Sequence, residues 1–225
     1  MPPKKKIKII VADDQEIFRV GLISIMQSQL PKNFECIAAA TNGIELVEKV
    51  KKLKPDLVIT DIKMPGLTGI QACKMIKEIS PDVNVIALSV FYNEEYILEM
   101  INAGASGYLV KTGSIQEFFE AIHTVSEGNA YYSSDISEQL FGIFENSNKR
   151  VFQSKNIRFS IQEIKVTKLI CRQLTTKEIA QSLKIGIRTV EDYRHQVQQK
   201  IGARNVVGIA LYALVKELVH ASDLI

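Results

Sequence analysis

Cysteine and long apolar runs are both scarce in this chain. Its three cysteines, Cys36, Cys73 and Cys171, lie far apart in apolar segments, without a CxxC motif or a histidine at metal-ligand spacing. We therefore predict core thiols rather than a metal site. The longest apolar runs, such as 83–90, fall short of the roughly 18 residues that a membrane helix needs. The basic start leads directly into a strand pattern rather than a signal-peptide core. A cytoplasmic protein without a membrane span is expected.

Charge is distributed unevenly along the chain. Residues 158–225 hold 11 Lys and Arg against 6 Asp and Glu, a net charge of +5, while the remainder holds 17 against 19, a net charge of −2. The basic excess suggests an anionic partner such as nucleic acid for the C-terminal part. An ordinary solvated surface fits the same numbers, so charge alone leaves the partner open.

Residues 6–126 alternate short apolar runs with segments of helical period, which is the pattern of βα units around a parallel sheet. Five such units indicate a flavodoxin-like α/β domain, doubly wound around a five-stranded parallel sheet, within residues 1–127. The predicted strands are 6–12, 34–40, 56–60, 84–90 and 107–110, and the predicted helices begin near Glu16, Gly43, Gly69, Glu94 and Ser114.

The remainder of the chain has a different pattern. Residues 128–157 are a predicted linker that contains a short helical patch at 136–144. Residues 158–225 carry helical period without a strand pattern, so a second, small all-α domain is expected, as the length of the chain also suggests. Its predicted helices lie near 160–173, 176–183, 187–201 and 205–219.

Carboxylates follow two strands of the predicted sheet. Asp13 and Asp14 come directly after the first strand, and Asp61 follows the third, before a Met-Pro-Gly turn. Parallel strands bring such groups to one sheet edge. Three clustered carboxylates raise one another's pKa unless a cation joins them, and Mg²⁺ suits their oxygens. Asp61 could then attack phosphorus in line. A single strand-end aspartate is more often a cap or turn residue, and only the constellation favours a phosphoacceptor.

Further polar residues stand at later strand ends. Ser89 ends the fourth strand and offers a hydroxyl to a phosphoryl oxygen, while Lys111 ends the fifth and supplies a positive partner. Tyr108 precedes Lys111 on the same strand, although strand hydroxyls and tyrosines alone need no function. Lys63 and Phe91 flank the approach of a hydrolytic water. We expect them to tune the lifetime of an acyl phosphate.

The order and approximate spacing of these residues resemble the receiver domain of bacterial response regulators, over residues 6–126. The resemblance implies that Asp61 accepts a phosphoryl group from a histidine kinase. It also implies that Asp14, Asp61 and the Lys63 carbonyl bind Mg²⁺ and that Asp13 helps through water. The residues that carry the resemblance are Asp13, Asp14, Asp61, Ser89, Tyr108 and Lys111.

The same resemblance implies a switch. Ser89 and Tyr108 would couple phosphorylation to a shift of the surface around the fourth helix and the fifth strand. Thr112 departs from the family pattern, because many receivers have proline there.

Residues 175–190 predict a helix-turn-helix, with Gly186 in the turn. Arg188, Arg194 and Lys200 fall on exposed positions of the second helix, within reach of phosphates. A generic helical hairpin fits this window equally well. Residues 158–219 resemble the NarL/LuxR-type DNA-binding domain. The motifs that carry this resemblance are Phe159-Ser-Ile-Gln-Glu163, Leu174-Thr-Thr-Lys-Glu-Ile-Ala180, Arg188-Thr-Val190 and Lys200-Ile-Gly-Ala-Arg-Asn205.

This second resemblance implies sequence-specific DNA binding with the helix near 187–201 in the major groove. Glu191 and Asp192 are adjacent acids that phosphates would repel. They either accept from the amino group of cytosine or orient Arg188, Arg194 or His195 by pairing. Gln173 stands where glycine is common, which makes that turn less permissive. By the resemblance, Glu191, Asp192 and His195 face bases, and Lys177, Thr189, Arg194 and Lys200 contact the backbone.

The last predicted helix is apolar over more than one face. A helix packed on one side only needs a narrower stripe. A homodimer contact through Val207, Leu211 and Leu214 explains the excess, and paired domains would read a pseudo-palindromic DNA site. Burial of this helix within its own domain is the alternative.

The sequence therefore predicts a transcription regulator that is phosphorylated at Asp61 with Mg²⁺ and binds promoter DNA, and not a conventional enzyme. A regulator that acts through dimerisation or protein contacts, with a vestigial pocket, is the alternative that Glu191 and Asp192 motivate. A Mg²⁺-dependent phosphohydrolase is a third hypothesis. The lack of a phosphate-binding glycine-rich loop and of a general acid argues against it.

Overall fold

The computed structural model divides the chain into two compact units, Met1–Glu138 and Gln139–Ile225. In the part of the chain that the structure describes, no helix is both long and apolar enough to cross a membrane. The side chains at positions 207, 211, 214 and 215 are not described. The described residues are 6–91, 93–137, 139–140, 157, 159–203, 205–216 and 218–219.

Among the described residues of the first unit, six parallel strands form one sheet in the order β2-β1-β3-β4-β5-β6. The central strands are apolar at almost every position because both faces of the sheet are covered. The strands are β1 (Ile7–Ala12), β2 (Phe34–Ala40), β3 (Leu57–Thr60), β4 (Asn84–Ser89), β5 (Gly107–Val110) and β6 (Tyr131–Tyr132).

Helices cover both faces of this sheet, as the doubly wound prediction requires. Met26 of the first helix and Phe118 and Ile122 of the fifth pack with Ile9 and Val11 on one face. The second, third and fourth helices pack against one another in a row and cover the other face. The helices are α1 (Glu16–Gln29), α2 (Gly43–Leu53), α3 (Gly69–Ile79), α4 (Glu94–Ala103) and α5 (Ile115–Ser126).

Side-chain caps explain why four of these helices begin where the sequence predicts. The side chains of Asn42, Thr68, Asn93 and Ser114 each accept a hydrogen bond from the backbone N–H three residues later. Such a bond satisfies a donor that the first helical turn leaves without a partner. The caps therefore fix the entry of each helix at the carboxyl ends of the strands, where the candidate site lies.

The sheet has one strand more than the five predicted. Tyr131 and Tyr132 pair with Gly107 and Tyr108, although these residues fall inside the predicted linker. Burial raises the pKa of the Tyr132 hydroxyl, which donates to the Ala105 carbonyl at 3.5 Å. A two-residue strand is too short to show a period, so the pattern could not reveal it. Of the predicted patch at 136–144, residues 136–137 and 139–140 are helical, and residues 138 and 141–144 lie outside the described residues.

The described part of the second unit is helical. Its core is built from Val166, Ile170, Ile179, Val190 and Val197. Serine and threonine caps with glutamate three residues later, a capping box, start the first two helices. The helices are α6 (Ile161–Cys171), α7 (Thr176–Leu183), α8 (Ile187–Ile201) and α9 (Val206–Val215).

One ion pair links the first and third helices of this unit. The Lys200 Nζ atom lies 2.6 Å from Glu163 Oε1 and 2.7 Å from Glu163 Oε2. The Glu163 side chain is 2 % exposed and that of Lys200 39 %. Burial raises the pKa of Glu163, but the bonds from Lys200 and Ser160 outweigh that effect and lower it overall. The buried carboxylate therefore needs the Lys200 ammonium.

The turn between α6 and α7 contains a backbone conformation that the sequence analysis anticipates at Gln173. This residue has a φ of 58°, in the left-handed region that costs a residue with a Cβ about 1–2 kcal/mol. We predict that Gln173→Gly raises the free energy of unfolding of this unit by about 1 kcal/mol. Hydrogen exchange of the α6 and α7 amides in the full chain measures it. The matched control, Gln181→Gly within α7, should lower stability, and a loss in both variants would contradict the prediction.

Glu163 makes stability dependent on pH. Because its pKa in the folded chain lies below that in the unfolded chain, its contribution is complete above the unfolded value of roughly 4.3. The contribution disappears as pH falls through the folded pKa. We predict that Glu163→Gln, which keeps the capping box, lowers the free energy of unfolding at pH 7 by about 1–2 kcal/mol. The difference from wild type, followed by exchange of the α6 and α8 amides, should vanish in acid. A difference independent of pH would refute this origin.

Candidate functional site

Three carboxylates meet at the carboxyl end of the sheet. Asp13 and Asp14 follow β1, Asp61 follows β3, and these two strands are neighbours. One ligand oxygen from each residue lies within 4.8 Å of the others. Asp13 and Asp61 are buried, whereas Asp14 is exposed. The predicted acidic cluster therefore exists, with one side open to solvent.

The Lys111 ammonium joins two of these acids. Its Nζ atom lies 2.7 Å from Asp13 Oδ2 and 2.7 Å from Asp61 Oδ2. Burial lowers the pKa of Lys111, but the two carboxylates outweigh that effect and raise it overall. Burial also raises the pKa of Asp13 by more than Lys111 lowers it. One ammonium cannot offset the charge of three acids, so the cluster retains negative charge for a further cation.

The Asp61 carboxylate is held at both oxygens. Oδ2 accepts from Lys111, and Oδ1 accepts from the Ile62 N–H at 2.6 Å. The loop beyond it is equally constrained, because the Gly69 N–H donates to the Ile62 carbonyl at 2.8 Å. A Cβ atom at Gly69 would collide with the Asp61 carbonyl oxygen. Glycine at this position thus lets α3 start against the loop that carries Asp61.

Ser89 and the Tyr108 hydroxyl lie near the same carboxyl end of the sheet. Thr60 pairs with Ala87. Ser89, two residues further along β4, therefore ends its strand next to the loop that begins with Asp61. The Phe91 N–H donates to Ser89 Oγ at 3.2 Å, and the Tyr108 hydroxyl donates to the Phe91 carbonyl. Burial, followed by the negative charge of Asp61, raises the pKa of Tyr108. The hydroxyl therefore remains a neutral donor.

Lys63 reaches an aromatic pair beyond Asp61. Its Nζ atom lies 3.8 Å from the centroid of the Phe91 ring and 4.9 Å from that of Tyr96. The sequence places Lys63 and Phe91 on the approach to Asp61, and the structure brings their side chains together. Tyr96 was missed, because no local pattern connects a residue of α4 with this loop.

Helix α1 and the residue before it contribute contacts that sequence reasoning also missed. The Phe18 ring centroid lies 4.5 Å from Lys111 Nζ. The Arg19 Nη1 atom donates to the Asp13 carbonyl at 2.6 Å. The Gln15 N–H donates to Asp13 Oδ1 at 2.9 Å. The bond from Gln15 is local, whereas the contacts of Phe18 and Arg19 depend on how α1 packs, and the spacing of these two residues after Asp13 carries no signal for them.

In the second unit, one face of α8 is polar and open to solvent. Arg188, Glu191, Asp192 and His195 are exposed and recur at i, i+3, i+4 and i+7, the spacing of a single helix face. Thr189 beside this face and Lys177 on α7 are exposed as well. Six of the predicted DNA-contacting residues are thus available to a partner.

Arg194 differs from the prediction, whereas Lys200 is exposed as predicted. Arg194 was expected on an exposed position, but it is half-buried and its Nη1 atom donates to Thr176 Oγ1 at 2.6 Å. Burial lowers the pKa of Arg194, and the negative charge of Glu191 opposes this effect. Lys200 bonds to Glu163. Both cations therefore hold helices together.

The remaining predicted residues have mixed outcomes. No disulfide joins Cys36, Cys73 and Cys171; Cys73 and Cys171 are buried in the core as predicted, and Cys36 is partly buried. Val207, Leu211 and Leu214 belong to α9, but their side chains lie outside the described part of the chain. On the same helix Ile209, Tyr212 and Ala213 are buried within the unit. Part of α9 is thus accounted for by its own domain.

Comparison with known proteins identifies both units. Residues 9–123 match the family described as response regulator receiver domain, and residues 158–213 match bacterial regulatory proteins, luxR family. The oxygen regulatory protein NreC of Staphylococcus carnosus is 31 % identical, over 94 % of this chain and 98 % of the relative. Both matches agree with the resemblances seen in the sequence.

Solved structures agree with the fold. The RcsB response regulator of Salmonella typhimurium, in a structure that concerns its conformational dynamism for DNA interaction, has a TM-score of 0.58 and 22 % identity, covering 92 % of this chain and 98 % of that one. Another structure contains two RcsB dimers bound to two parallel DNAs, with a TM-score of 0.56, 22 % identity and the same coverage. The chain therefore belongs to the two-component response regulators that join a receiver domain to a luxR-family DNA-binding domain, and it is a transcription regulator rather than a conventional enzyme.

Proposed function

We propose that this regulator is switched by a phosphoryl group that Asp61 accepts from a histidine kinase. The observation that carries the proposal is the buried Asp61 carboxylate, fixed 2.7 Å from the Lys111 ammonium at the open edge of the sheet. An Asp61 oxygen would form a bond to phosphorus while the phosphorus–nitrogen bond of the donor phosphohistidine breaks. Lys111 would neutralise part of the added charge, as in other phosphoryl transfers.

Mg²⁺ fits the acidic cluster. The ion prefers oxygen ligands and keeps several waters, and Asp14 is exposed beside the buried Asp13 and Asp61. Asp14, Asp61 and the Lys63 carbonyl would hold the ion, with Asp13 acting through water. When bound, Mg²⁺ would offset the charge on the incoming phosphoryl oxygens. Self-phosphorylation and slow loss of the group would be the only chemistry of the chain.

Ser89 and Tyr108 would carry the switch. Ser89 Oγ already accepts from the Phe91 N–H, so its own proton is available to a phosphoryl oxygen. The Tyr108 hydroxyl donates to the carbonyl of Phe91. A shift of Ser89 that moved Phe91 would therefore also alter this bond to β5. Phosphorylation would thereby favour one of two pre-existing arrangements.

DNA is the proposed partner of α8. Arg188, Glu191, Asp192 and His195 form its exposed face, which would enter the major groove as in other helix-turn-helix proteins. Thr189 and Lys177 would contact phosphates. Arg194 and Lys200, which are bonded to Thr176 and Glu163, would orient α8 instead, with Glu191 near enough to Arg194 to influence its charge. A regulator of this kind would work in the cytoplasm.

The active species would be a homodimer on a pseudo-palindromic promoter site. At 3.6 residues per turn, positions 207, 211 and 214 fall on the side of α9 opposite Ile209, Tyr212 and Ala213, which are buried within the unit. Val207, Leu211 and Leu214 would form the contact with a second copy. RcsB forms dimers on DNA in one of the solved structures, and paired domains would compensate for the modest affinity of one small module.

Glu191 and Asp192 favour a second candidate function. Both acids are exposed on the face proposed to meet DNA, where phosphates repel them. A regulator that acts through protein contacts or dimerisation, without phosphorylation, would not need that face to be basic. DNA-site selection with the full chain that returns no enriched motif would support this candidate.

Phosphorylation of Asp61 is testable by intact-protein mass. Incubation with a small phosphodonor and Mg²⁺ should add a single phosphoryl group to wild type and to Asp82→Asn, an exposed control acid of the same unit. Asp61→Asn should remain unmodified, and a chelator should prevent the reaction. Hydroxylamine should remove the group, because it cleaves acyl phosphates and not phosphate esters. An adduct that survives in Asp61→Asn would overturn the assignment.

The two kinds of DNA contact predict different losses. Lys177→Gln should weaken binding equally across sequences and reduce the slope of log affinity against log salt by about 1, because one phosphate contact is lost. Asp192→Asn should instead change the preferred base at one position by roughly 1–3 kcal/mol. Site selection and salt titration measure these effects, with Lys168→Gln on α6 as the matched control. Equal behaviour of Lys177→Gln and Lys168→Gln would contradict the phosphate contact.

A further inference from the structure

The Lys63 side chain connects three separate segments of the receiver unit. Lys63 lies in the loop after β3, Phe91 in the β4–α4 connection, and Tyr96 in the first turn of α4. The ammonium lies over both rings, 3.8 Å from the Phe91 centroid and 4.9 Å from the Tyr96 centroid. The two rings meet edge to face at 5.9 Å and 64°. We name Lys63, Phe91 and Tyr96 the cation clamp.

The cation clamp is joined to the switch residues through the Phe91 backbone. The Phe91 N–H donates to Ser89 Oγ at 3.2 Å, and the Phe91 carbonyl accepts from the Tyr108 hydroxyl. The same residue thus offers its ring to Lys63 and its peptide groups to Ser89 and Tyr108. A movement of Phe91 would therefore alter its contacts with Lys63, Ser89 and Tyr108.

The cation clamp is exposed to solvent, so the Lys63 ammonium can leave the two rings for another partner. The Phe91 side chain is 37 % exposed, and Lys63 is exposed as well. Lys63 stands only two residues after Asp61, on a flexible four-carbon side chain. A phosphoryl group brings a charge of about −2 at neutral pH. An ammonium is drawn to such a group far more strongly than to an aromatic face in contact with water.

We propose that the Lys63 side chain acts as a latch, which holds the first turn of α4 in place until Asp61 gains the charge of a phosphoryl group. While Asp61 is unmodified, the ammonium holds Phe91 and Tyr96 together and fixes the β4–α4 connection. When Asp61 carries a phosphoryl group, the ammonium turns to the phosphoryl oxygens and releases the two rings, which frees the first turn of α4 to rearrange. This inference rests on the proposed phosphorylation of Asp61, and it assigns a positioning role to a side chain whose carbonyl alone is expected at the metal.

Hydrogen exchange of residues 89–99 in the full chain tests the latch. In the unphosphorylated protein, Lys63→Met should exchange roughly five- to thirtyfold faster than wild type in this segment, because the clamp is lost. Lys63→Arg should exchange like wild type, since guanidinium also stacks on aromatic rings. Lys74→Met, an exposed lysine of α3, is the matched control and should leave the segment unchanged.

Phosphorylation provides the second arm of the test, with the adduct verified by mass. On phosphorylation, exchange of this segment in wild type should rise to the rate of unphosphorylated Lys63→Met. Phosphorylation of Lys63→Met should raise its exchange little further. Equal exchange of unphosphorylated Lys63→Met and wild type would overturn the clamp. An unchanged segment in fully phosphorylated wild type would overturn its release. If no variant accepts a phosphoryl group, the proposed function fails, and the unphosphorylated comparison still decides whether the clamp fixes α4.

Discussion

The receiver unit depends on one electrostatic constraint, the Lys111 ammonium held 2.7 Å from both the Asp13 and the Asp61 carboxylates. Buried acids without a partner would take up protons, and protonated acids would neither bind a cation nor attack phosphorus. The Lys111 ammonium offsets part of the charge of the two buried acids, and the exposed Asp14 leaves the cluster open to solvent. The fold positions these side chains, because the parallel strands place the acids and Lys111 at one carboxyl end of the sheet. The caps of α2, α3 and α4 fix the loops around them.

The DNA-binding unit uses its cations in a different way. Lys200 bonds to the buried Glu163, and Arg194 bonds to Thr176 at the start of α7. These two bonds fix α8 against α6 and α7, so that Arg188 and His195 lie on a face that the core does not occupy. Two basic residues of α8 therefore bond to other helices of their own unit. Substituting either residue should disturb the orientation of α8 and so alter DNA binding indirectly.

Most of the fold could be predicted from sequence, because apolar period and capping residues are local signals. Strand-end acids such as Asp61 were predictable too, since parallel topology brings strand ends together. The two-residue strand β6 was not, because it is too short to show a period. The tertiary partners of the site were equally hidden, since the contacts of Phe18 with Lys111 and of Tyr96 with Lys63 depend on helix packing. The half-burial of Arg194 likewise depends on a neighbouring helix that helical period does not specify.

A phosphoryl group on Asp61 should change how strongly the second unit binds DNA. The most direct test of this coupling is the affinity of the full chain for a selected DNA site, measured with and without phosphorylation at constant salt. Coupling of the usual size predicts a change of roughly 5- to 150-fold in wild type and none in Asp61→Asn. Equal affinities in a fully phosphorylated and an unmodified sample would contradict this coupling, and would leave a regulator that acts without phosphorylation.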